Sequence, residues 1–131
     1  MRKEFALPEQ DIAFLDTLGV DWEAITDQNM NWVIVRGFPV CTGYTVEKTD
    51  IAINISTGYP RSQLDMVYFF PALLRADGKP INALATQHIE GRQYQRWSRH
   101  RTPQHPWREG VDDISTHFEL IKSWVEKEPL R

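Results

Sequence analysis

The sequence predicts an α+β fold: a helix near the start, an antiparallel meander sheet through the middle and a second helix at the end. Three observations predict it. Val111, Ile114, Phe118, Ile121 and Val125 step by three and four, which is the spacing of one helix face. Ile51, Ile53 and Ile55 alternate, which is the spacing of one strand face. Residues 64–74 are apolar on both parities, Met66, Tyr68 and Phe70 against Val67 and Phe69, as expected of a strand covered on both sides. With 131 residues, 41% hydrophobic and 25% charged, the chain suits a single domain over residues 1–131 with one proper core.

The elements follow in order. Over 8–17, Ile12, Phe14, Leu15 and Leu18 fall at helical spacings, Pro8 suits a first turn and Gly19 a stop, so a short amphipathic helix is expected. A linker through Trp22 and Ile25 leads to a β-branched and aromatic run at 31–36, broken by Gly37 and Pro39, and then to the alternating run 45–56. These two runs read as neighbouring antiparallel strands. Residues 57–60, Thr-Gly-Tyr-Pro, are turn chemistry ahead of the central strand. Asp77-Gly78 marks a turn, with a hairpin possible there, into a strand at 81–85, and Glu90-Gly91 marks another before an extended segment at 93–98. Pro103 and Pro106 keep 102–107 irregular. The last helix carries Asp112 and Asp113 near its positive end and Lys122 and Lys127 near its negative end.

Composition narrows the function classes. No stretch is apolar enough for a membrane span and the first residues lack the apolar core of a signal peptide, so a cytoplasmic protein without membrane association is expected. The single cysteine, Cys41, leaves no internal disulfide and no multi-cysteine zinc site. The net charge is -3, yet residues 91–108 hold Arg92, Arg96, Arg99, Arg101 and Arg108 and no acid. A local basic patch on an acidic protein draws an acidic partner to one place.

Tyr59-Pro60, then a strand, His88, Gly91, Ser98 ten residues after that histidine, Trp107 and a final helix form an order that resembles the ubiquitin-conjugating superfamily. Residues 58–70, 91–101 and 110–117 look like the prokaryotic subgroup called family E, encoded beside a ubiquitin-like protein and an activating enzyme in a setting that resembles bacterial antiphage defence. The resemblance implies a UBC-like fold and three partners: a ubiquitin-like protein, an adenylating enzyme and a target protein. No cofactor and no metal are expected. It also places Ser98 where those enzymes carry their catalytic cysteine. Three departures stand out. Ile89-Glu90 replaces the Pro-Asn that follows the family's histidine, so the asparagine that stabilises the oxyanion is missing there. The gap from Pro60 to His88 is long, which suggests an inserted hairpin around Asp77-Gly78. The nucleophile's place holds a serine, and Cys41 lies far upstream.

A serine hydroxyl needs a base within hydrogen-bond reach before it accepts an acyl group. In an extended segment His100 shares a face with Ser98, and His88 is the second candidate through the fold. Arg96 shares that parity and Arg99 and Arg101 flank it, which makes these cations, with Trp97, candidates for oxyanion stabilisation or partner binding. The acyl product on Ser98 would be an oxyester. Four other readings stay open: a UBC-like domain without a nucleophile that orients its partners; stacking of single-stranded nucleic acid on Tyr94 and Trp97, which the net acidity opposes; a metal held by His100 and His105, which lacks a third ligand; and Cys41 as nucleophile against simple packing. Trp22, Phe38 and the first helix are candidates for the surface that meets an activating enzyme.

Overall fold

Two turns built from left-handed residues fold the outer strands back on their neighbours. The computed structural model describes residues 1–131. After helix α1 (Glu9–Asp16), strand β1 (Trp22–Asp27) turns at Gln28 and Asn29, with φ of 51° and 64°, into β2 (Met30–Pro39). Positive φ at both central residues is the type I′ geometry that matches strand twist. β3 (Lys48–Ile55) and β4 (Val67–Phe70) extend the meander. The chain then runs through 71–83 to the far edge, forms β5 (Leu84–Ile89), turns at Glu90 and Gly91 (φ 50° and 77°) and returns as β6 (Arg92–Trp97) to pair with β4. The sheet order is β1-β2-β3-β4-β6-β5, antiparallel throughout. Helix α2 (Ile114–Lys127) and a 3₁₀ turn (Glu128–Leu130) end the fold.

Both faces of the sheet are apolar, and each is covered differently. Val33, Val35, Ile51, Ile53, Ile55, Val67, Phe69 and Trp97 pack under Leu15 of α1 and Ile114, Phe118 and Ile121 of α2. The expected single face of Ile51, Ile53 and Ile55 and the double burial of β4 are both present. On the other face Ile25, Trp32, Ile34, Ala52, Tyr68, Ile89 and Tyr94 are buried without a helix over them. The sheet covers itself there. The β5–β6 turn comes round to β1: Glu90 N–H donates to Asp27 Oδ2 (3.1 Å), and the Arg2 guanidinium bridges Glu90 and Glu23. Trp32 meets Tyr68 edge to face at 4.9 Å inside the curl.

Several expectations change. Trp22 opens β1 instead of lying in a linker, and at 5% exposure, its indole donating to Asp16 Oδ1 (2.9 Å), it offers an activating enzyme no surface. Phe38 is half-buried against Phe118, with ring centroids 5.1 Å apart. β1 escaped the sequence reading because Trp22 and Ala24 face one core and Ile25 the other, which erases simple alternation. No hairpin forms at Asp77-Gly78, a local turn in which Gly78 N–H donates to Arg75 O (3.1 Å); the hairpin of this region is β5–β6, turning at Glu90-Gly91. Val111 stands exposed outside α2, because Asp113 caps the helix: its carboxylate accepts from Thr116 N–H (3.2 Å) and Thr116 Oγ1 accepts from Asp113 N–H (3.0 Å). Asp113→Ala is expected to cost about 1 kcal/mol of stability, read as a lower urea midpoint.

Candidate functional site

The motif residues that frame the site hold elements together. Tyr59 Oη donates to the buried Asp11 carboxylate of α1 (2.7 Å) and accepts from Ile114 N–H at the start of α2 (3.0 Å). The Trp107 indole donates to Pro60 O (3.1 Å). Burial and the Asp11 carboxylate push the Tyr59 hydroxyl well above its ordinary range, and burial pushes Asp11 up.

Ser98 lies just beyond β6. The residue before it, Trp97, is fully buried, edge to face with Phe69 at 5.1 Å. Arg99 N–H donates to Trp97 O (2.9 Å), an i to i+2 bond that makes Ser98 the centre of a γ-turn. Ser98 N–H donates to Ala83 O (3.0 Å) and Met66 N–H donates to Arg99 O (3.1 Å). The two residues that grip this turn, Ala83 and Met66, have φ of 57° and 59°. A left-handed conformation costs an alanine or a methionine roughly 1 kcal/mol or more, and such strain persists only where surrounding bonds impose it. The Ser98 hydroxyl is half-buried and makes no hydrogen bond within the chain.

The γ-turn ends the extended geometry on which the expected Ser98, His100 and Arg96 face depended. His100 Nδ1 lies 2.7 Å from Asp65 Oδ2, and the imidazole is open to solvent. His88 sits exposed on β5 opposite Gln93, while Leu84 pairs with Trp97, so about 13 Å of strand separates His88 from the Ser98 end. That spacing takes His88 out of reach of the serine. Arg99 is drawn to Glu128 (3.0 Å) and to Asn82 O (3.0 Å), and stacks on Trp97 at 5.0 Å. Arg101 donates to Leu64 O (3.0 Å) and to His117 Nδ1 (3.1 Å), lying 4.7 Å over Trp107. Both guanidiniums therefore brace the loop, and Arg99 Nη1 also reaches the backbone carbonyl of Ser98 (3.5 Å). Arg96 lies across from Tyr68 and Ala85, its buried Nε without a hydrogen-bond partner. Trp97, being buried, has no face for a partner.

Sequence reasoning missed Asp65 and His117. His117 is buried on α2, donating Nε2–H to Met66 O (2.9 Å) while Nδ1 accepts from Arg101. Burial drives this imidazole down to about 4. Unfolded, a histidine titrates near 6.5, so between those values the unfolded chain takes up a proton that the folded chain refuses. Stability from this group is full above about pH 6.5 and falls toward pH 4, by about 3 kcal/mol in all. The urea midpoint is expected to drop over that window, and less so in His117→Gln. Cys41 is exposed after β2, with burial of its sulfur pushing the thiol up, the wrong direction for a nucleophile. His105 and His100 gather no third ligand: no three His, Cys, Asp or Glu side chains converge anywhere. No helix is long and apolar enough to cross a membrane.

The order of elements and the position of Ser98 beyond β6 now meet a comparison at the level of family. The family described as prokaryotic E2 family E matches residues 7–128. The chain belongs to that family. No curated protein and no solved structure gives a significant match. As a family E member the chain has the α+β, E2-like architecture, with a ubiquitin-conjugating-like role and, at that general level, a ubiquitin-like protein and an activating enzyme as partners. Within it, hydrogen bonds from Arg101 to Leu64, between His100 and Asp65, and from Met66 to Arg99 tie residues 64–66 to the chain that follows Ser98.

Proposed function

We propose that this family E protein receives a ubiquitin-like protein from its activating enzyme, carries the acyl group as an oxyester on Ser98 and passes it to a target amine. The observation that supports the reading is the Ser98 hydroxyl itself: half-buried, free of any hydrogen bond within the chain, and set on a turn held by Ala83 and Met66. A nucleophile must be uncommitted to attack and rigid enough to meet its electrophile. Reconstitution with activating enzyme, ubiquitin-like protein and ATP is expected to give an adduct that hydroxylamine cleaves and thiols do not, and that Ser98→Ala lacks.

A second reading, a binding module that orients the ubiquitin-like protein or the activating enzyme, is favoured by one specific feature. No imidazole is hydrogen-bonded to Ser98, since His100 is turned to Asp65. Conjugation that survives Ser98→Ala with complex formation intact decides for this second reading.

A further inference from the structure

Each of the four histidines has a distinct setting. His117 has both ring nitrogens engaged and is buried, His88 stands at the far end of the β5–β6 hairpin, and the His105 ring has no side-chain partner. In His100 one ring nitrogen is held by a carboxylate and the other is left open. The carboxylate is well placed for this. Asp65 lies between Leu64, whose carbonyl takes Arg101, and Met66, whose N–H and C=O are taken by Arg99 and His117. Its side chain is mostly buried, and Oδ1 is buried with no partner of its own, so the only hydrogen bond of the carboxylate goes to His100. A carboxylate accepts only, so Nδ1 must carry the proton, and the neutral imidazole then presents the Nε2 lone pair outward. Two residues of chain hold the Cα atoms of Ser98 and His100 within about 7 Å.

We infer that Asp65 is a positioning residue that holds His100 in the Nδ1–H tautomer, so that Nε2 accepts the proton in acyl transfer at Ser98; this rests on the acyl-carrier reading above. In loading, Ser98 Oγ bonds to the carbonyl carbon of the partner's activated C terminus, a thioester. The carbon–sulfur bond breaks, and the hydroxyl proton passes to Nε2 and on to the leaving thiolate. In discharge, the amine nitrogen bonds to the ester carbon, the carbon–Oγ bond breaks, and the amine proton passes through Nε2 to Oγ. Orientation by a carboxylate at Nδ1 is the arrangement that keeps an imidazole in the accepting tautomer.

The test has an arm that needs no partner. Nitrogen-15 shifts of the His100 ring, taken where the imidazole is neutral, are expected to report Nδ1–H in the intact chain and a shift toward Nε2–H in Asp65→Ala. In the reconstituted reaction His100→Ala is expected to load Ser98 on the order of a hundredfold more slowly. Added free imidazole should restore part of that rate, which a purely structural role would not allow. Asp65→Ala should load more slowly with an unchanged melting temperature, and Asp65→Glu should recover part of the loss. Wild-type loading rates in Asp65→Ala, or a ring already in the Nε2–H form in the intact chain, overturn the inference while leaving Ser98 as carrier. Absence of any Ser98 adduct overturns the carrier reading and the base role together, even if the tautomer is Nδ1–H.

Discussion

Ser98→Ala is expected to abolish the covalent adduct while leaving the fold unchanged. The two halves of that expectation have separate causes. The backbone bonds that hold the turn, Ser98 N–H to Ala83 O and Arg99 N–H to Trp97 O, do not involve the side chain, and the hydroxyl has no partner to lose. Removing it should change stability by no more than about 0.5 kcal/mol. Acylation, by contrast, has no other oxygen to use at this position, so adduct formation should fall to background. Ser98→Cys sharpens the result: a thiol is a far better nucleophile at neutral pH than a hydroxyl, so this variant should load faster and give an adduct that thiols now cleave. Intact-mass measurement before and after hydroxylamine and thiol treatment checks both variants. An adduct of unchanged size and lability in Ser98→Ala would place the acyl group elsewhere.

Trp97→Ala should act in the opposite way, through the fold. The ring is fully buried in the core between sheet and α2, meets Phe69 at 5.1 Å, donates its N–H to Gln95 Oε1 (2.9 Å) and supports the Arg99 guanidinium at 5.0 Å. Deleting a buried indole costs about 3–5 kcal/mol, from lost transfer energy and from a cavity that closes only in part. Total stability of a domain this size is about 5–15 kcal/mol, so the melting temperature should fall by roughly 10–20 °C. Thermal unfolding checks it. Trp97→Phe keeps most of the volume and should lose much less. Loading by Trp97→Ala is expected to fall as well, because the residue sits next to Ser98 and shares its γ-turn. A variant with unaltered melting would mean that this layer of the core carries far less of the stability than its burial indicates.

Much of the fold was readable before any coordinates. The 3.6-residue stripe on α2, the alternation in β3 and the two apolar parities of β4 are local patterns, and each survived because burial demands the same residues that the pattern displays. β1 was not readable, because it feeds two cores at once and so shows no alternation. Nor was the place of β5 and β6: Glu90-Gly91 announces a turn, but nothing local says that the hairpin leaves β4 by a loop, pairs back on it through β6 and curls round to Asp27. The site's position along the chain and its surroundings were not equally visible. Counting from His88 singles out Ser98 as the candidate position, while His88 itself lies at the far end of the hairpin from it.

By itself, then, the sequence determined the class of fold and the family, and it singles out Ser98 as a candidate nucleophile, since helical and strand periodicities and motif spacing are properties of neighbours along a chain. Only the tertiary structure decided what surrounds Ser98. His100 meets Asp65 from 35 positions away, Arg99 meets Glu128 from 29, and Arg101 meets His117 from 16. Charged side chains in a folded protein go to whatever opposite charge or acceptor the packing brings within reach, because a half-buried ion left unpaired is costly. Proximity in sequence places these cations and the imidazole beside Ser98, but the distant partners fix where their charged and ring atoms point, and the Ser98 hydroxyl keeps no hydrogen bond within the chain.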